Sequence, residues 1–240
     1  MNIYPNNFSS PFKPTSLNDF VISDEASRKQ LDAIVSGRMP FPLFGKNCIC
    51  LWGMYGSGKS TLALMLPQLL EASAKLIGSS RNKGVFESDK YWELTECGTV
   101  SNSVAMLTDL NERCKSMTAM SPSGWHYEIL DEVDLLTPLA MASLKTAITF
   151  ANSTIFVITT NHPSKLDMGV KDRSILIEMN QPQPTDCVPL AIRFFQKMGL
   201  TGNEVPTNVF EQIAKASRGS IREFGTAIVT LGLSYGGVIA

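Results

Sequence analysis

Histidine and cysteine are scarce in this chain, two and five among 240 residues. The cysteines stand at 48, 50, 97, 114 and 187 with irregular spacing and no C-x-x-C pair, which speaks against a zinc site. Cys48 and Cys50 share one face of an apolar run, where small core residues are expected. Odd, unpaired thiols fit a reducing compartment, so an intracellular, cytoplasmic location is expected. Neither sign of charge dominates: 21 Lys and Arg face 22 Asp and Glu, for a net charge of −1. No overall basic surplus marks a nucleic-acid binder, although a local patch is compatible with this balance. Long apolar runs are missing, so no membrane partner is expected. The start, Met1 to Phe8, has no basic segment leading into an apolar one and does not read as a signal peptide. Internal repeats and low-complexity tracts are also missing. What is present is an ordinary 44% hydrophobic content, enough for one large domain or a medium and a small one.

The most informative stretch is Gly53 to Thr61, G-M-Y-G-S-G-K-S-T. It fits the phosphate-binding pattern G-x-x-x-x-G-K-[ST], with an apolar run (47–52) before it and a helix-like run (62–66) after it. Glycines let successive N–H groups converge on one anion, and the N-terminus of the following helix faces that anion too. Lys59 can reach the terminal phosphates and Ser60 can offer its hydroxyl to Mg²⁺. Gly53, Tyr55, Gly56, Ser57, Gly58, Lys59, Ser60 and Thr61 are therefore the candidate nucleotide-binding residues.

Around this loop the chain reads as strands alternating with helices. Residues 1–20, with Pro5, Pro11 and Pro14, form an extended arm. A helix from Asp24 to Ser36, capped by Ser23 and stopped by Gly37, precedes the first strand. Pro67 predicts a kink or an early end of the helix after the loop. Strands are predicted at 74–77, 125–130, 153–160 and 174–179, with a helix from Leu139 to Phe150 capped by Thr137 and carrying Pro138 at its first position. Residues 79–98 match no element, and a helix is expected over Asn102 to Cys114. β-Branched strands alternating with helices imply a parallel sheet covered on both faces. After Gln181-Pro-Gln-Pro184 three helices follow without strands, near 186–198, 208–217 and 221–233. Ser220 and Glu223 are placed to form a capping box for the last. The expected organisation is an arm (1–20), an α/β nucleotide-binding domain (21–180) and a small all-helical lid (181–240).

Further polar residues fall at strand ends. The third apolar strand delivers Asp131 and Glu132; Asp131 is the candidate metal ligand with Ser60, and Glu132 the candidate activator of water. Two adjacent carboxylates ionise together more readily beside a cation such as Mg²⁺. Asp134 reads as a surface residue. Asn161, after the fourth strand, is placed to bond a γ-phosphate or the attacking water, while His162 reads as a loop residue. Arg173 precedes the fifth strand and is a candidate for charge stabilisation in a neighbouring subunit's site. Arg222 sits in a helix's first turn, where the dipole disfavours cations, and suits a role toward bound nucleotide; Arg218 is a rival. Arg81, Asn82 and Lys83 form a small polar cluster expected to be a solvated loop.

Together these residues resemble the AAA+ ATPases, and among them clamp-loader subunits of the replication factor C type. Gly53 to Thr61 resembles Walker A, Asp131 and Glu132 Walker B, Asn161 sensor 1, and Gly219-Ser-Ile-Arg222 sensor 2. Phe12-Lys-Pro14 with Leu17 to Val21 resembles the segment that packs near adenine, with Lys where Arg is usual; the resemblance thereby implicates Phe12 and Val21. Lys171-Asp-Arg-Ser174 is similar to the Ser-Arg-Cys box, with Asp172 and Ser174 in place of its serine and cysteine, and it puts Arg173 at the arginine-finger place. The likeness implies a five-stranded AAA+ fold with a helical lid, the cofactors ATP and Mg²⁺, and assembly with copies of itself or related subunits in a ring. It also implies DNA and a sliding clamp as partners. Clamp-loader subunits add a helical collar for which residues 1–240 leave no segment, so either the collar is missing or the task differs. A replication helicase or initiator of a virus or mobile element, and a slowly hydrolysing assembly regulator, are the competing readings.

Overall fold

In a computed structural model, the structure describes residues 11–76, 91–97, 108–110, 112, 114, 121 and 123–239. Five parallel strands form one sheet among the described residues: β1 (Cys48–Trp52), β2 (Trp92–Glu96), β3 (His126–Asp131), β4 (Thr154–Thr160) and β5 (Ser174–Glu178). Their spatial order is β2-β3-β4-β1-β5. Helix α1 (Glu25–Val35) precedes β1, and α2 (Lys59–Leu76) follows it. Between β3 and β4 runs α3 (Pro138–Phe150), capped by the Thr137 side chain. The short α4 (Met168–Asp172) leads into β5.

Strand alternation divides the core in two. Ile49, Leu51, Ile129, Val157 and Ile177 join α1 and α2 on one face. Cys48, Cys50, Phe156 and Ile158 join α3 on the other. Both cysteines are fully buried, and burial pushes the Cys48 thiol up to about 12, so they serve as packing rather than chemistry.

Several expectations need correction. The N-cap of α1 is Asp24, which accepts the Ser27 N–H; Ser23 instead donates its hydroxyl to Asp186 at 2.6 Å. Residues 74–76 are helical, not a strand, and α2 does not end early at Pro67. Glu71, past the proline, explains this. It is buried and accepts bonds from the Ser123 amide and hydroxyl and, at 2.8 Å, from the Tyr127 hydroxyl, so the second half of α2 is stitched to the start of β3. The second strand is Trp92–Glu96, inside the stretch that matched no element; it pairs with β3 from Trp92–Tyr127 to Glu96–Asp131. Of the helix expected over 102–114, residues 108–110, 112 and 114 are helical and the rest lie outside the described residues, as do Arg81, Asn82 and Lys83.

After β5 come α5 (Pro184–Lys197), α6 (Thr207–Ala216) and α7 (Ile221–Ser234). They enclose a separate apolar cluster that includes Leu190, Phe195, Phe210, Phe224 and Ile228. Phe195 and Phe210 meet edge to face at 5.2 Å, a favoured aromatic geometry. Ser220 accepts the Glu223 N–H at 3.2 Å, which is one half of the expected capping box. Among the described residues no helix is long and apolar enough to cross a membrane.

Candidate active site

In a parallel sheet, the loops after the strands converge along the carboxyl edge. β4 lies between β1 and β3, so the ends of these three neighbours form one row: the glycine loop, Asn161 and the Asp131–Glu132 pair. The fold thereby gathers residues far apart in sequence.

The loop takes the conformation its glycines permit, with φ of 149° at Gly53, 74° at Gly56 and 95° at Gly58. A Cβ at Gly53 would stand 2.3 Å from the Met179 carbonyl oxygen, and one at Gly56 2.5 Å from the Ser220 hydroxyl, so side chains are excluded sterically as well. Lys59 is buried and donates to the carbonyls of Gly53 (3.0 Å) and Met54 (2.6 Å). Burial holds its ammonium below the usual lysine range; the nearby Asp131, Asp134 and Glu132 oppose that shift and the Arg222 charge adds to it. A polyanion in the loop would add negative charge beside it and favour the charged ammonium further. Ser60 donates to Asp131 Oδ1 at 2.9 Å, so the two expected metal-binding side chains are in contact across 71 residues. Among the described residues no three His, Cys, Asp or Glu side chains form a metal cage. One carboxylate and one hydroxyl, completed by phosphate and water, is the donor set Mg²⁺ commonly takes. Tyr55 is largely exposed.

Past Asp131 the chain leaves the strand. Glu132 adopts φ 57° and ψ 49°, the left-handed region uncommon for residues with a Cβ. Its N–H donates to the Thr159 hydroxyl at 2.9 Å. Asp134 corrects the sequence reading: it is buried, and accepts the Thr160 hydroxyl at 2.8 Å and the Asn161 N–H at 3.1 Å. It fixes the backbone that carries Asn161.

Beside the loop lies an open cleft whose walls include Phe12, Val21, Gly58, Thr61, Arg193 and Phe194. Phe12 and Val21, which the resemblance implicated, are both among its walls. The Phe12 and Phe194 rings lie 5.0 Å apart. Arg193, which sequence reasoning missed, pairs with Asp19 and donates to the Asn18 carbonyl at 2.9 Å. Burial opposes ionisation of Asp19, yet the Thr15 and Ser16 amides and the Arg193 charge together hold its carboxyl below the usual carboxylate range.

The start of α7 abuts the loop. The Gly56 carbonyl accepts the N–H groups of Ile221 (2.9 Å) and Arg222 (3.3 Å). Arg222 is exposed there, within electrostatic reach of Lys59. Arg218 is also exposed, with φ 49°. Arg173 is not brought to the site. β1 and β5 pair from Cys48–Ser174 to Trp52–Glu178, so Arg173 lies at the amino edge of the sheet, five residues or roughly 17 Å from the loop edge at about 3.3 Å per residue. Its guanidinium donates to the Gly169 carbonyl at 3.1 Å.

No known family model and no curated protein matches the sequence. Solved structures do match the fold. The Thermotoga maritima RuvB Holliday junction branch migration motor aligns at 19% identity over 96% of this chain and 70% of its own, with a TM-score of 0.64. An arginine-to-alanine variant of the same RuvB aligns at 20% identity over 92% of this chain and 64% of its own, with a TM-score of 0.63. A threonine-to-valine variant gives 18% identity and a TM-score of 0.65, over 96% and 70%. The chain has the fold of these proteins and spans about two thirds of their length, 64% in the case of the arginine-to-alanine variant.

Proposed function

We propose that this chain is a Mg²⁺-dependent ATPase that acts on DNA complexes as part of a ring. The observation that carries the reading is the Ser60–Asp131 contact at 2.9 Å beside the buried Lys59. Loop, metal ligands and water-activating candidate then share one edge of the sheet. ATP places its adenine in the cleft beside Phe12 and Val21 and its phosphates on the loop N–H groups, with Tyr55, Ser57 and Thr61 on the same segment. Lys59 exchanges its two carbonyl partners for phosphate oxygens. Ser60 and Asp131 would hold Mg²⁺, which when bound neutralises charge on the phosphates. Glu132 accepts the proton of the attacking water, Asn161 orients that water or the γ-phosphate, and Arg222 answers to the nucleotide from α7. Residues 181–240 act as a lid on the 21–180 domain, because α7 hydrogen-bonds the loop itself. Arg173 serves the site of an adjoining protomer.

The task on DNA has two versions. The motif set supports a clamp-loader-like role, with a sliding clamp as partner. The likeness to a branch migration motor supports a second, a translocating or helicase-like role. The experiment measures ATP hydrolysis and strand displacement by the purified chain with primed DNA with and without a sliding clamp, and with branched DNA. Glu132→Gln is expected to bind ATP yet hydrolyse it about 10²–10⁴-fold more slowly. Clamp-dependent stimulation favours the first version, and strand displacement without a clamp the second. No calorimetric heat on addition of ATP and Mg²⁺ sinks the proposal as a whole.

A further inference from the structure

One buried hydroxyl ties together Asp131, the last residue of β3, and Glu132, which follows it. Thr159, the second-last residue of β4, is 1% exposed. It lies two residues after Val157, on the sheet face covered by α2. Its Oγ1 accepts the Glu132 N–H at 2.9 Å and donates to Asp131 Oδ1. Both directions are forced. An amide N–H only donates, an ionised carboxylate only accepts, and the hydroxyl has a single proton to give. Ser60 donates to the same Oδ1, while Oδ2 takes no hydrogen bond from the described residues. Asp131 is thereby clamped on one oxygen, with the other left for a cation or its water.

The same hydroxyl anchors Glu132 at the point where the strand alternation breaks. Glu132 holds a left-handed conformation that a Cβ disfavours, and such residues persist where their surroundings over-determine them. Here the anchors are the Thr159 hydroxyl on the Glu132 N–H and, at 3.0 Å, the Leu135 N–H on the Glu132 carbonyl. The next residue, Thr160, accepts the His162 N–H at 3.0 Å and donates to Asp134. Asp134 is the carboxylate already seen to fix the Asn161 backbone.

We infer that Thr159 is a positioning residue for the hydrolysis proposed above. It fixes the metal-ligating carboxylate and the backbone of the water-activating residue relative to each other, so the two are set as one unit. The inference rests on that reading of the site. A hydroxyl that only satisfied a buried amide would affect stability without separating turnover from binding, whereas a positioning hydroxyl separates them.

The test compares Thr159→Val, which keeps the shape and loses the hydroxyl, with Thr159→Ser, which keeps the hydroxyl. Thr159→Val is expected to lower kcat about 10²-fold, the scale of an ångström-sized misplacement. Its affinity for a non-hydrolysed ATP analogue should stay within about threefold, and the Mg²⁺ concentration for half-maximal rate should rise. Thr159→Ser should recover most of the turnover. A Thr159→Val enzyme within about threefold of the wild-type rate, or a serine variant as slow as the valine one, overturns the inference. Wild type and Glu132→Gln are measured alongside. If wild type turns over, Glu132→Gln does not and Thr159→Val keeps pace, only the role of Thr159 fails. If wild type hydrolyses no ATP, the reading of the site fails and takes this inference with it. Should Thr159→Val not fold, Thr159→Ala against Thr159→Ser decides by the same criteria.

Discussion

Asp134 shows how much of the site depends on neighbours invisible along the chain. In sequence it is one more acid after Asp131 and Glu132, and reads as solvated. In the fold it is buried, with the Thr160 hydroxyl and the Asn161 N–H both on its Oδ1. Thr159 escaped notice for the same reason: threonine at a strand end is common, and only the pairing of β4 with β3 brings its hydroxyl to Asp131. The residues proposed to bear the chemistry were legible, because a glycine loop, a lysine and an acid pair are demanded by phosphate and metal binding at fixed spacing. The residues that hold them in place were not, because a tether can come from any polar side chain the fold delivers. Asp134→Ala should strand two donors, each costing about 1–3 kcal/mol, and destabilise the protein by a few kcal/mol. Asp134→Asn keeps an acceptor oxygen in place and should cost about 1 kcal/mol or less. Chemical denaturation of the three proteins checks the order; equal stability of the alanine and asparagine forms would show that the acceptor is not what matters.

Among the elements, legibility followed burial. β1, β4 and most of β3 are buried along their length, and their apolar runs mark them within a residue. β2 is an edge strand of half-exposed residues, Trp-Glu-Leu-Thr-Glu, and its mixed polarity hides it. Residues 74–76 are the converse case: a short apolar run fits either period, and the buried contacts of Glu71 select helix. The arm and α5 are joined, beside the Phe12–Phe194 ring contact, by polar links that no periodicity reveals. Arg193 grips Asp19 and the Asn18 carbonyl, and the Lys197 ammonium reaches the Lys13 carbonyl at 3.4 Å. If these links shape the cleft proposed for adenine, Arg193→Ala should weaken ATP binding about tenfold, the loss of one partly buried charged hydrogen bond, without changing the rate at saturation. Titration calorimetry and steady-state kinetics separate the two effects. The pH dependence has a definite sign. The Asp19 carboxyl lies lower in the folded protein than its usual 3.8, so the link is complete above that value and is lost as pH falls through the folded one. Acid loosening of the arm should begin below about pH 4 in wild type and lose this component in Asp19→Asn. An arm whose protease sensitivity follows the same acid profile in both proteins would exclude Asp19 as its anchor.

At the scale of the whole molecule, the sheet register separates two groups that one reaction is proposed to need. The glycine loop and acid pair occupy the carboxyl edge, and Arg173 the amino edge. The Lys46 ammonium bonds the carbonyls of Asp172 (2.5 Å) and Ser174 (2.9 Å) on either side of Arg173, so the segment is braced against the tight turn that Leu43 and Lys46 close before β1. A side chain of arginine length does not cross the roughly 17 Å between edges that the strand rise of about 3.3 Å sets. Within one protomer Arg173 is idle toward ATP, and any contribution must go to a neighbour related by a head-to-tail contact. Arg173→Ala and Lys59→Ala proteins should each hydrolyse ATP poorly alone. In an equimolar mixture, random assembly pairs an intact Lys59 site with an intact Arg173 donor at about a quarter of the interfaces. The mixture should therefore regain up to roughly a quarter of wild-type turnover if the sites work independently. A mixture no more active than its components, under conditions where mixed assemblies are shown to form, would mean that Arg173 does not complete a site across the interface.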